Sequence, residues 1–322
     1  MSQHQLLTLD EHDPRVIAAR DAEEQLFACY GLKARTRFVL LPRLGLRVRV
    51  NEFGTGEPVL MVPGNTGDAF PFTPLLPELH GRRIIMVNRP GGGMSEGMDH
   101  RTVVDFRKFA VETLNTVLDA LELESVPIVA HSMGGHWSLW LALDRPERVT
   151  ALTLLGIPGN LIRTGPPLAL RLLSVPGLNR LLFRIVLLTV GRHSSETSTS
   201  VSAAIAACNY HFQRLPHYRI STLSLMERTN RLRGRRPEIT LSAEQLKRVQ
   251  QPTMFLWGTN DPFGSSETGR HIAQLLPYAE FHAIQGAGHL PWLSNLAECG
   301  HLIRDFLANH ADPATDRDLS TQ

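Results

Sequence analysis

Val129-Ala-His-Ser-Met-Gly-Gly135 follows the apolar run VPIV (126–129) and precedes the helix-like stretch HWSLWLALDRP (136–146). A strand that turns sharply into a helix strains the residue at its apex, and bulky side chains two positions to either side would collide. Those positions are Ala130 and Gly134, both small. The turn is therefore suited to presenting Ser132. A helix starting behind it would supply unpaired N–H groups and a favourable dipole for an oxyanion.

A serine hydroxyl is a weak nucleophile until a base takes its proton, and the base needs an acid to orient it. Both partners should lie downstream, each just past a strand. Asp261 does so in PTMFLWGTNDPF (252–263), and His289 does so in AEFHAIQGAGHLPW (279–292). Glu267 is the alternative acid, but it falls inside an expected helix. The oxyanion donors expected are the N–H of Met133 and, from the loop PGNTGDAF (63–70), the backbone N–H of Asn65, with Thr66 as its neighbour.

Outward from this centre, buried strands alternate with amphipathic helices. RTRFVLLP, LRVRVNEFG, PVLMVPG and RRIIMVNRP read as strands, and the last two are near-continuous apolar runs suited to a sheet covered on both faces. Residues 103–123 read as a helix, and VTALTLLGI (149–157) as a further strand. The alternation predicts an α/β sheet. The rhythm lapses over 161–245, where the chain reads as helical, and returns from 246. The expected plan is a core of 36–160 and 246–310, a helical insertion over 161–245, an N-terminal helical extension over 1–35 outside the main core, and a disordered tail at 311–322.

Composition narrows the classes further. The 322 residues are 43% hydrophobic with a net charge of +2, so no nucleic-acid partner is implied. Three scattered cysteines fit no disulfide framework or metal spacing and read as reduced thiols. The N-terminus lacks a secretion-signal pattern, so a cytoplasmic location is expected. The most apolar stretch, LLFRIVLLTVG (181–191), is broken by Arg184 and is short of the ~20 residues a membrane span requires, so no stable membrane insertion is expected. No metal-ligand or nucleotide-binding motif is present, so no metal or cofactor is expected. Residues 161–250 hold 14 Lys/Arg against 4 Asp/Glu, densest in RTNRLRGRRPE. That cluster reads either as a solvated face or, through Arg233, Arg235 and Arg236, as an attractor for an anionic substrate or an acidic carrier.

With these residues in place, the chain resembles the α/β-hydrolase superfamily. NRPGGGMS (88–95), GTNDPF (258–263) and GAGHLPWLSNLAE (286–298) are similar to that superfamily's conserved turn, acid loop and histidine segment. The resemblance implies an eight-stranded, mostly parallel sheet with a helical cap inserted after the sixth strand. It also implies serine rather than aspartate chemistry. The chain departs from the pattern at Pro63, where many members carry histidine, and at Asn88, where aspartate is common. The reaction expected is hydrolysis of a carboxylic ester, lactone or thioester of a small to medium apolar molecule. The alternatives are a serine-dependent C–C bond hydrolase of a diketone-type acid, which AHSMGG and GIPGN resemble, and a non-catalytic small-ligand-binding protein. Leu290 follows His289 where that C–C group usually carries tryptophan.

Overall fold

The computed structural model describes residues 7–157, 168–183 and 200–310. In chain order the strands are β1 (Arg35–Leu41), β2 (Leu46–Phe53), β3 (Glu57–Val62), β4 (Arg82–Val87), β5 (Val126–His131), β6 (Val149–Leu155), β7 (Asn230–Arg231), β8 (Gly234–Arg235), β9 (Thr253–Gly258) and β10 (Ala279–Ile284). The helices are α1 (Pro14–Ala28), α2 (Phe106–Ala120), α3 (Met133–Asp144), α4 (Leu168–Leu172), α5 (Ser200–Phe212), α6 (Tyr218–Thr229), α7 (Ala243–Leu246), α8 (Ser266–Ala273), α9 (Pro291–Ser294) and α10 (Leu296–His310).

Among the described residues, eight strands form one sheet in the order β1-β2-β4-β3-β5-β6-β9-β10. β2 runs antiparallel to β1 and β4, and the other neighbours are parallel. This is the mostly parallel α/β sheet the sequence predicts. Strand order reverses at β3, with β4 on one side and β5 on the other. Loops leaving the C-terminal ends of β3 and β5 therefore diverge and open a crevice, the usual ligand position in such sheets.

The continuous apolar runs have a direct cause. In β3, Leu60 and Val62 face one core with Ile128, Leu114, Val117 and Trp137. Val59 and Met61 face the other, with Met86, Trp292, Ile303 and Phe306. Each large apolar side chain fully buried this way contributes about 1.5–3 kcal/mol. The helix expected over 103–123 is shorter, because the Asp105 side chain caps it by accepting from Lys108 N–H at 2.9 Å.

The N-terminal helix departs from expectation. α1 is packed into the molecule: Phe27 meets Phe53 of β2 edge-on at 4.9 Å, and Glu23 is ion-paired with Arg49 in the interior. Ala19 and Ala22 are small enough to let α5 lie close alongside. Between β6 and β9 the described chain holds α4 to α7 and the β7–β8 hairpin. Residues 161–167 and 184–199 of the expected insertion, and the expected tail at 311–322, lie outside the described residues. Among the described residues, no helix is long and apolar enough to cross a membrane.

Candidate active site

Ser132 sits at the β5–α3 turn with φ 51° and ψ −118°. Such a backbone costs about 1–3 kcal/mol in a non-glycine residue and persists only where its surroundings enforce it. Here Ser132 N–H donates to Leu155 O on β6, and Gly135 N–H returns to Ser132 O at 3.0 Å. The small flanking residues are required by space. A Cβ on Gly134 would collide with the carbonyl oxygens of Val62 and Pro63 at the end of β3, and Ala130 is wholly buried.

The three residues singled out from sequence converge. His289 Nε2 lies 3.0 Å from Ser132 Oγ, and His289 Nδ1 lies 2.9 Å from Asp261 Oδ2. Asp261 comes from the loop after β9, its side chain closed off from solvent, and Phe263 N–H donates to its Oδ1 at 2.8 Å. Glu267 lies exposed in the first turn of α8, away from this chain of bonds. A carboxylate on Nδ1 leaves Nε2 as the nitrogen facing the hydroxyl, which is the tautomer a general base requires.

Two aromatic neighbours of His289 escaped the sequence reading. Phe263 stacks on its ring at 4.0 Å, and His131 packs against it at 4.8 Å. His131 Nε2 donates to the main-chain oxygen of His289 at 3.1 Å. Burial, reinforced by the nearby His289, holds the pKa of His131 well below the usual histidine range, so the ring is a neutral strut. The residue before the serine was visible in the motif, but its partner lies 158 positions away.

Asn65 and Met133 flank the serine. Met133 opens α3, so its N–H has no intrahelical acceptor. Asn65 N–H closes no hydrogen bond among the described residues, whereas its side chain reaches Met226 Sδ of α6 at 3.3 Å. The loop carrying Asn65 is braced by the 88–93 turn. Arg89, wholly buried, donates to Gly64 O and lies over the Trp137 ring at 4.7 Å. Ala69 N–H donates to Asn88 Oδ1 at 2.9 Å, and Gly93 N–H donates to Asp68. Burial pushes the Asp68 carboxyl up to about 7 and the Arg89 guanidinium down to about 9. Asn88 thus serves the loop structurally, and Trp137 belongs to the core rather than to a pocket wall.

α6 lies over this loop. Its Ser221 Oγ accepts from Met98 N–H and its Ser224 Oγ from His100 N–H. The three arginines grouped from sequence separate in the structure. Arg233 is exposed, and Arg236 is exposed with Nε bonded to Glu227 O. Arg235 instead turns inward, its Nη1 3.9 Å from Met133 Sδ.

A family model described as the alpha/beta hydrolase fold matches residues 57–296. Among curated proteins, the chain is 26% identical over 287 residues to a 2-hydroxy-6-oxononadienedioate/2-hydroxy-6-oxononatrienedioate hydrolase of Paraburkholderia phymatum, covering 81% of this chain and 91% of that protein. A protein of the same description from Cupriavidus pinatubonensis is 28% identical over 285 residues, covering 82% and 91%. Among solved structures, a 2-hydroxy-6-oxo-6-phenylhexa-2,4-dienoate hydrolase from Rhodococcus sp. strain RHA1 superposes with a TM-score of 0.70 at 18% identity, over 86% of this chain and 99% of that one. Naproxen esterase from Bacillus subtilis superposes with a TM-score of 0.69 at 14% identity, over 92% and 100%.

Proposed function

Since the chain belongs to the α/β-hydrolase fold family, we propose that it is a serine-dependent hydrolase cleaving the carbon–carbon bond beside a ketone in a diketone-type acid. The observation that carries the reading is the unbroken hydrogen-bond chain Ser132–His289–Asp261 in a protein whose curated relatives, over four-fifths of its length, are named for such keto-diacids. The carboxylesterase neighbours, at 14–15% identity, share the fold alone. Ester hydrolysis, the first expectation from sequence, uses the same machinery with an oxygen leaving group and becomes the comparison reaction.

In this reading Ser132 Oγ attacks the ketone carbon as His289 Nε2 takes its proton, and Asp261 steadies the resulting imidazolium. The oxyanion lies between the N–H groups of Met133 and Asn65. On collapse the carbon–carbon bond breaks. Carbon is a poor leaving group unless its electron pair delocalises, which a second carbonyl conjugated to it provides by forming an enolate. The substrate enters this step as its diketo tautomer, the 2-hydroxyl proton having moved to C5, and the enolate released takes the proton of His289 on oxygen, which gives the hydroxydienoate. Water, deprotonated by the same histidine, then hydrolyses the acyl-serine and regenerates the hydroxyl. The small-molecule substrate enters beneath α6, whose Met226 reaches Asn65.

The test compares 2-hydroxy-6-oxonona-2,4-dienedioate with p-nitrophenyl butyrate on the unmodified protein. The reading expects succinate and 2-hydroxypenta-2,4-dienoate as products, with kcat/KM for the keto-diacid at least about a hundredfold above that for the ester. The opposite preference, with no fragmentation of the keto-diacid, assigns the protein to ester hydrolysis.

A further inference from the structure

Phe263 is a large apolar side chain placed outside the apolar interior. Among the described residues it joins none of the three hydrophobic clusters, and it stays partly exposed. Phe281 shows the usual arrangement: it too is partly exposed, but it packs against the sheet core. Core packing therefore does not account for where the Phe263 ring sits. Its partner is the catalytic imidazole. The ring lies 4.0 Å from that of His289, centroid to centroid, with 30° between the planes.

The main chain holds the ring there. Pro262 has no N–H, so the first donor after Asp261 is that of Phe263, which reaches Asp261 Oδ1 at 2.8 Å. One residue on, Gly264 O accepts from the indole N–H of the wholly buried Trp257 at 2.9 Å, and Gly264 N–H returns to Asp261 O at 3.3 Å. Phe263 thus touches the acid with its backbone and the base with its ring. Asp261 fixes the imidazole through Nδ1, which leaves the ring free to tilt about that bond. The phenyl face restrains the tilt from one side, and His131, kept neutral by burial, lies against the imidazole at 4.8 Å and 59°.

We propose that Phe263 is a positioning residue that stabilises the imidazolium of His289 face-on and so speeds transfer of the Ser132 Oγ proton to Nε2. When His289 takes that proton it becomes a cation, in a side chain only 14% exposed. Little water reaches the charge, and the phenyl ring turns the negative face of its quadrupole toward it. The neutral imidazole gains much less from the same contact. The attraction therefore grows as the proton moves, which is what lowers a barrier rather than merely holding a side chain still. The inference rests on the serine-nucleophile part of the proposed function and deepens it, but its test does not require the keto-diacid.

The experiment replaces Phe263 in turn by mono-, di- and trifluorophenylalanine, which drain electron density from the ring face with little change of size, and adds Phe263→Leu. Turnover of p-nitrophenyl butyrate is measured per mole of Ser132 titrated by a fluorophosphonate, so that only assembled sites are counted. The stack predicts that kcat falls stepwise with each fluorine, about fivefold over the series, with KM unchanged within about twofold. Phe263→Leu, which has no ring face, should lose a similar amount or more. A kcat level within about 1.5-fold across the fluorinated series overturns the proposal even if Phe263→Leu is slow, because size alone then explains the residue. A rising KM at constant kcat also overturns it and makes the ring a wall of the substrate pocket. Absence of a titratable Ser132 in the unmodified protein would sink the nucleophile reading and this proposal together, whereas a flat series on a titratable serine sinks this proposal alone.

Discussion

His131 donates a hydrogen bond to the main-chain oxygen of His289 at 3.1 Å, so the residue before the serine holds the residue that bonds the serine. Replacing it loosens the imidazole without touching Ser132 Oγ. His131→Ala should lower kcat about tenfold with KM little changed, equivalent to ~1.4 kcal/mol of misplacement. His131→Asn, whose amide can still donate, should recover part of the loss. Equal kcat in all three proteins would show that the strut is dispensable.

Arg89 makes the corresponding prediction for the other side of the site. Its guanidinium links Gly64 O to the Trp137 ring, and so ties the Asn65 loop to the helix behind the serine. Arg89→Lys keeps the charge but loses the planar fork. A kcat loss of about tenfold or more is expected, with partial restoration by added guanidinium for Arg89→Ala. Restoration without any change in KM would mark a positioning role, and an unaltered kcat in both variants would remove it.

The close approach at Gly134 is a stability prediction. A methyl group there meets the carbonyls of Val62 and Pro63, which are backbone atoms that cannot swing aside. Gly134→Ala should cost a few kcal/mol, read as a melting temperature lower by about 5 °C or more, or as loss of soluble protein. An unchanged melting curve would mean the turn relaxes more easily than its geometry indicates.

Asp68 predicts a pH dependence whose sign follows from its raised pKa, about 7 against an ordinary 3.8. Between those values the folded protein keeps a proton that the unfolded chain releases. The stabilisation from that bound proton is full below pH ~4 and is lost as pH rises toward 7. Asp68→Asn lacks this titration, so the difference in melting temperature, variant minus parent, should become more positive from pH 4 to 7 and level off above. The buried histidines titrate alike in both proteins and cancel. A flat difference would show that Asp68 ionises normally.

Much of this architecture was readable because local signals and tertiary demands agree. β3 is apolar from Pro58 to Val62 because Leu60 and Met61 face different cores. Ser132, Asp261 and His289 were found because each lies just past a strand, in the chain order expected for this fold. What stayed hidden depends on contacts between distant segments. Arg89 stood in a recognised turn, but its acceptor is 25 residues away. Arg235 looked like one of three equivalent basic residues until the hairpin turned it inward and left Arg233 in solvent. The packing of α1 was hidden because its partner is α5, far along the chain.

The most direct test of the central claim is cleavage of the keto-diacid probe by the unmodified protein and by Ser132→Ala, following both carbon fragments by mass. The account predicts stoichiometric fragments from the parent and a loss of at least about a thousandfold in kcat for Ser132→Ala, with the fold retained. Fragmentation by Ser132→Ala within tenfold of the parent would contradict it, and the serine would not be the nucleophile.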